Sequence, residues 1–238
     1  MAHALRRRAT FERVGLVDRL KALDRDLELL IPKQYPPGGD ISKRVDVPTF
    51  FSSANATVAV RSAEGKGNLI QAMNRDLVTR PDTFDAFAVI CDADADALTV
   101  SRKVARGLAA IGLPVPDSAG TVHPGPPRCG YFVLPDNRSA GTVEDVPLAS
   151  GRRTYTALAA ESERFVQAAS VLPELNSEDL MHLRKPAGAK KAQVAAMASI
   201  LRPGKAIQVS IQDNRWFAEG ATELDDLAAF LGRLIGPV

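Results

Sequence analysis

The sequence predicts an α/β fold: a mainly parallel sheet flanked by helices, followed by an all-helical C-terminal part. Three observations lead there. Short apolar runs, "ATVAV", "FDAFAVICD" and "RCGYFVLPDN", lack strict alternation, as strands covered on both faces do. Between them lie segments whose apolar residues recur at steps of three and four, the helical period. Strands alternating with helices argue for parallel pairing, and beyond about Gly151 the apolar pattern becomes helical throughout.

The elements follow in order. Residues 11–31 place Leu16, Leu20, Leu23, Leu27 and Leu30 on one helix face, which offers a surface for a second copy and hence a homodimer. The Pro- and Gly-rich stretch "PKQYPPGGDISKRVDVP" breaks regular structure and reads as a linker. "ATVAV", Ala56 to Val60, is rich in β-branched residues and reads as a buried strand. Leu69, Met73 and Leu77 mark the next helix, and "FDAFAVICD" is the second strand. Val100, Val104, Leu108 and Ile111 form another helical stripe, stopped by Gly112, Pro114 and Pro116. The third strand, "RCGYFVLPDN", ends at Pro135. Of the later segments, "RTYTALAAESERFVQAASVL", "GAKKAQVAAMASIL" and "ELDDLAAFLGRLI" are helical in period, while "AIQVSI" fits a strand or a helix. The expected division is 1–47 (helix and linker), 48–150 (α/β core) and 151–238 (helical region).

Bulk properties narrow the class. The chain has 238 residues, 45% hydrophobic and 24% charged, the balance of an ordinary globular protein. No apolar run approaches the roughly 18 residues that span a bilayer. Arg6–Arg8 have no apolar stretch behind them, as a signal peptide would require. Cys91 and Cys129 sit in apolar runs without a CxxC pair, which suits reduced core thiols and a cytoplasmic location. His123 and His182 have no partner at zinc-ligand spacing. "AEGKGN" lacks the spacing and hydroxyl of a P-loop, and no Gly-x-Ser-x-Gly elbow is present.

The chemistry-bearing feature is "AVICDADAD". In parallel α/β sheets, ligands bind beyond the carboxyl ends of the strands, which is where Asp92 falls. Residues two apart on an extended chain point the same way, so Asp92 and Asp94 converge if the chain stays extended. Converging carboxylates repel unless a cation or proton neutralises them. A hard divalent ion, Mg²⁺ or Mn²⁺, takes such oxygen donors. Asp96 fits a helix cap instead. A second acidic group, Asp136, Glu144 and Asp145, follows the third strand. Glu144 there serves equally as a metal donor or as a first-turn acid that offsets a helix dipole, while Asp145 fits the dipole role better than the metal one.

"AVICDADAD" followed by "GYFVLPDNRSAGTVEDV", with the tail "KKAQVAAMASILRPGKAI", resembles a Toprim-like (Rossmann-like) family of unknown function related to the nuclease domain of the OLD family. The resemblance covers roughly Thr57 to the C-terminus. It implies that Asp92 and Asp94 ligate Mg²⁺ or Mn²⁺, that Glu144 serves the same or a second ion, and that the chemistry is phosphodiester transfer on nucleic acid. Two such ions about 4 Å apart activate the attacking oxygen and stabilise the leaving one. It also implies a catalytic Glu-Gly pair after a first strand, for which Glu64–Gly65 stands here, and a tail lysine, Lys191 first, with Lys185 and Lys190 behind it. In the family a helix, a strand and a helix separate the Glu-Gly pair from the Asp-x-Asp. Here the 28 positions from Glu64 to Asp92 hold one helix and no strand. The alternative from a different class is therefore a non-catalytic nucleic-acid-binding or regulatory protein with a degenerate site. Basic pairs recur at Lys43–Arg44, Arg152–Arg153, Arg184–Lys185 and Lys190–Lys191, while aromatics are 5% of the chain, so backbone contacts rather than base readout are expected.

Overall fold

A computed structural model describes residues 1, 4–5, 12–14, 48–63, 66–79, 84–218 and 220–236. Its described strands are β1 (Glu12–Arg13), β2 (Thr49–Ser52), β3 (Thr57–Val60), β4 (Ala86–Asp92), β5 (Val122–His123) and β6 (Arg128–Leu134). The described helices are α1 (Leu69–Thr79), α2 (Ala97–Ala110), α3 (Asp145–Thr154), α4 (Thr156–Ala169), α5 (Gly188–Leu201), α6 (Ile207–Asp213) and α7 (Asp225–Ile235). The chain is mixed α/β, and it divides into two compact units. The first comprises Met1–Val89, Lys103–Phe132 and Leu227–Val238; the second comprises Ile90–Arg102 and Val133–Asp226.

The strands form two three-stranded sheets, ordered β1-β2-β3 and β4-β6-β5. β4 and β6 run parallel: Arg128 N donates to Asp85 O at their start, and Ala93 N donates to Leu134 O at their end. The other described pairings, β1–β2, β2–β3 and β5–β6, are antiparallel. The expectation of a mainly parallel sheet is thus corrected to one parallel pair. The cause lies in the connection from β2 to β3. Ser53 N donates to Ala56 O, Ala56 N donates to Ser53 Oγ, and so short a turn can join only antiparallel strands. β3 is also less covered than its sequence suggests, with all four side chains partly exposed.

Two further elements differ from expectation. Glu12 and Arg13, read as the start of a helix, pair instead with Ser52 and Phe51. Most of the 11–31 stripe, with its five leucines, lies outside the described residues, as does the linker up to Val47. "AIQVSI" resolves as helix α6.

In the first unit, Phe132 meets Phe230 of α7 with ring centroids 5.6 Å apart. A Cβ on Gly130 would lie 2.7 Å from Cε2 of Phe230, so the strand is bare where the ring crosses it. Arg128 Nε donates to Leu234 O (2.6 Å) and its Nη2 to Ile235 O (3.0 Å). A cation there satisfies terminal carbonyls and complements the negative end of the α7 dipole. Burial pushes the Cys129 thiol up to about 11, against a weaker opposing hydrogen bond from Gly130 N, and that thiol stays protonated at neutral pH.

The second unit is held by a helical core of Leu148, Ala159, Val194, Met197, Ala198 and Trp216. Trp216 is fully buried, meets Tyr155 edge-on at 6.3 Å, and donates its indole N–H to Ser210 Oγ (3.1 Å). Gln193 Nε2 donates to Ala159 O, tying α5 to α4 through a buried polar contact.

Candidate functional site

Every described residue of the predicted acidic site belongs to the second unit. β4 ends at Asp92, and the chain turns at once. Asp94 has φ 53, in the left-handed region that Asp tolerates better than most residues. The extended geometry that would have aligned Asp92 with Asp94 therefore stops at the strand end. Asp94 N donates to Gly141 O and Gly141 N to Asp94 O, each at 2.8 Å, a single antiparallel bridge that fixes the turn against the 136–145 loop.

Asp92 reaches the same loop with its side chain. Oδ1 accepts from Val143 N at 2.7 Å. This puts its carboxylate one residue before Glu144, at the amino end of α3, where backbone N–H groups favour negative charge. Asp96 is the cap that its position suggests: Oδ1 accepts from Leu98 N (2.9 Å) and Thr99 N (3.3 Å), and Oδ2 from Thr99 Oγ1. The Thr99 hydroxyl, then the backbone amides, hold its carboxyl below the ordinary carboxylate range.

Asp136 builds the loop. Oδ1 accepts from Arg138 N and Ser139 N, and Oδ2 from Ser139 Oγ. Partial burial pulls its carboxyl upward, but the Ser139 and Arg138 hydrogen bonds and the Arg138 charge together outweigh burial and depress it. Its contribution to stability is thus fully present above the ordinary value of 3.8 and is lost as pH falls from there through the depressed folded value. In acid titrations followed by circular dichroism, the stability gap between wild type and Asp136→Ala is expected to hold constant above that window and to close within it. A gap that widens on acidification would contradict the assignment.

The start of α3 is crowded and partly unsatisfied. Asp145 Oδ2 accepts from Thr142 N (2.7 Å) and from Lys190 Nζ (2.8 Å), and Lys190 lies 2.7 Å from Oδ1. Gly141 is required beside it, since a Cβ there would lie 2.7 Å from Asp145 Oδ2 and 2.9 Å from Pro135 Cδ. Two buried oxygens here have no hydrogen-bond partner among the described residues: Thr142 Oγ1 and Glu144 Oε2. Thr142 is 5% exposed.

Of the predicted site, the structure draws Asp92, Asp94 and Glu144 onto one loop, 141–144, through Val143 N–H and the Gly141 bridge. Glu64 lies outside the described residues. Lys191 is exposed, and its neighbour Lys190 is the lysine that reaches the acidic loop. Thr142 and the Asp145–Lys190 pair carry no sequence signal beyond first-turn acid placement, because their partners lie across the fold. The available donors are all oxygen, the set a hard divalent ion requires. Among the described residues, no group of three or more His, Cys, Asp or Glu side chains is gathered closely enough to cage an ion.

No helix among the described residues is long and apolar enough to cross a membrane. No curated protein and no solved structure matches the chain. A family match covers residues 27–236, nearly the whole sequence. The chain belongs to that family, DUF3226, described as a protein of unknown function.

Proposed function

We propose that this is a Toprim-like protein acting on nucleic acid with Mg²⁺ or Mn²⁺, and that it cleaves phosphodiester bonds. The observation that carries this reading is the buried Glu144 Oε2, without a hydrogen-bond partner among the described residues, on the loop whose Val143 N–H holds Asp92. A buried carboxylate oxygen left unpaired costs on the order of 1–3 kcal/mol or more, a cost that a bound cation with its waters removes. The order of motifs in the sequence, Asp-x-Asp at 92–94 and then Pro-Asp-Asn and Val-Glu-Asp, supports the Toprim resemblance.

In this reading the Asp92 carboxylate, oriented by the hydrogen bond from Val143 N to its Oδ1, is a metal donor. Glu144 presents Oε2, and Asp94 stands at the rim. When bound, such an ion supplies Lewis-acid charge at a phosphoryl group. Lys190, anchored on Asp145, keeps a positive charge at the edge of the loop and takes the part that the resemblance gave to Lys191. The non-catalytic alternative draws on the turn at Asp94 and on the lack, among the described residues, of a three-carboxylate cage.

The test combines binding and cleavage. Titration with Mn²⁺, read by calorimetry and by electron paramagnetic resonance, is expected to show a site at millimolar affinity or tighter, weakened at least about tenfold in Glu144→Gln. This matches the loss of a charge-assisted partner worth roughly 1.5–3 kcal/mol. Nicking of supercoiled plasmid or cleavage of RNA is expected to need Mn²⁺ or Mg²⁺ and to vanish in Asp92→Ala. Cleavage that survives Asp92→Ala rejects the site. Absence of Mn²⁺ binding, with nucleic-acid binding intact, selects the non-catalytic alternative.

A further inference from the structure

From Leu180 to Gln212 the chain contains no Asp or Glu; all 28 acidic residues lie elsewhere. The same stretch carries Arg184, Lys185, Lys190, Lys191, Arg202 and Lys205. It forms the loop before α5, α5 itself and most of α6, all within the second unit. Elsewhere in that unit three arginines are paired with carboxylates: Arg152 with Glu163, Arg153 with Glu223 and Arg164 with Glu161. Within the stretch, Lys190 is held by Asp145, and Arg202 lies 3.6 Å from Asp213 just beyond it. Arg184, Lys185, Lys191 and Lys205 are exposed and have no carboxylate partner among the described residues.

The backbone that carries three of these four cations is held in place. A Cβ on Gly188 would collide with His182 O and Leu183 O, so the backbone of the loop lies directly against the first turn of α5. Arg184 N donates to Leu180 O, Lys185 N to His182 O, and Gly188 N to Lys185 O. Lys185 Nζ lies 3.0 Å from His182 Nδ1. Arg184 and Lys185 are therefore clasped next to the helix turn that carries Lys190 and Lys191, and Lys190 ends on the acidic loop.

We infer that the Arg184–Lys191 clasp binds the sugar–phosphate backbone of nucleic acid. This deepens the nucleic-acid reading above by assigning its contact surface. Cations without carboxylate partners on an ordered backbone, with no acid among them in the sequence, fit a line of phosphates. No Phe, Trp or Tyr lies between Leu180 and Gln212, so the surface has no ring on which a base could stack. Binding is then indifferent to base sequence and governed by salt.

The experiment measures anisotropy of a fluorescein-labelled duplex of about 20 base pairs, long enough to span several phosphates, with the full chain in EDTA over a salt series. EDTA separates this surface from the acidic loop, whose failure would appear only in the Mn²⁺ titration and the cleavage assay. Arg184→Ser/Lys185→Ser is expected to lower affinity about 10- to 100-fold at low salt. It should also flatten the plot of log affinity against log salt by about 2, near 0.9 for each phosphate no longer neutralised. The control removes the same charge from paired positions, Arg152→Ser/Arg164→Ser, and should keep the wild-type slope. Thermal melts confirm that both variants fold. Equal weakening in the two variants, or wild-type slope in the first, overturns the inference. So does binding to vesicles of phosphatidylcholine and phosphatidylserine with none to the duplex.

Discussion

Trp216→Ala is expected to lower the unfolding free energy by about 3–5 kcal/mol, the range for deleting a buried aromatic. Trp216 is fully buried among Leu148, Met197 and their neighbours, so its removal leaves a cavity that the helices of the second unit can only partly close. Two specific contacts, one polar and one aromatic, change with it. Ser210 Oγ loses the indole N–H, and Ser210 is itself buried. Tyr155 loses the edge-on ring, while its hydroxyl still accepts from Arg215 N. Trp216→Phe separates the effects: it keeps much of the volume but removes the N–H, and a decrease of about 1–2 kcal/mol is expected. Urea denaturation followed by circular dichroism measures both. A Trp216→Ala variant with wild-type stability would show that this core is not what holds the helices.

Gly188→Ala is the second large effect, and its sign opposes helix propensity. Alanine inside a helix is favoured over glycine by roughly 1 kcal/mol, so propensity alone predicts stabilisation. Here the new methyl would meet His182 O and Leu183 O, both backbone atoms that no side-chain rotation can move. Overpacking of this kind costs about 1–3 kcal/mol or forces the loop away. Either outcome destabilises the protein or lifts Arg184 and Lys185 from α5. The variant should therefore melt earlier than wild type and bind the duplex more weakly, although no charge has been removed. An increase in melting temperature with unchanged binding would show that the loop yields without cost.

How much of the fold is legible in the sequence depends on how local each determinant is. The strand ending at Asp92 and the helix after it are readable because an apolar run and a stripe of Val104 and Leu108 are patterns within a few residues. The Asp96 cap is equally local, its partners being two and three residues on. β5 leaves no trace in the sequence because two residues carry no periodicity. β1 departs from the helical reading because its pairing with Phe51 and Ser52 is decided by the partner strand, not by Glu12 and Arg13 themselves. The site divides in the same way. That carboxylates cluster after β4 and before α3 is visible directly. That Asp92 binds Val143 N, 51 positions away, and that Lys190 rather than Lys191 meets Asp145, 45 positions away, depends on tertiary placement. Alternation misplaces Asp94 because it assumes extended backbone where the chain adopts φ 53.

The first unit takes residues from three separated stretches, and the last of them brings Phe230 to Phe132 and the α7 carbonyls to Arg128. On the ribosome, synthesis proceeds from the amino end, so β6 emerges long before its covering helix exists. Until α7 leaves the exit tunnel, Phe132 lacks the ring of Phe230, and the partly built unit exposes apolar surface of the kind that promotes aggregation. A stall between the two would leave the unit open, however well its earlier strands had already paired.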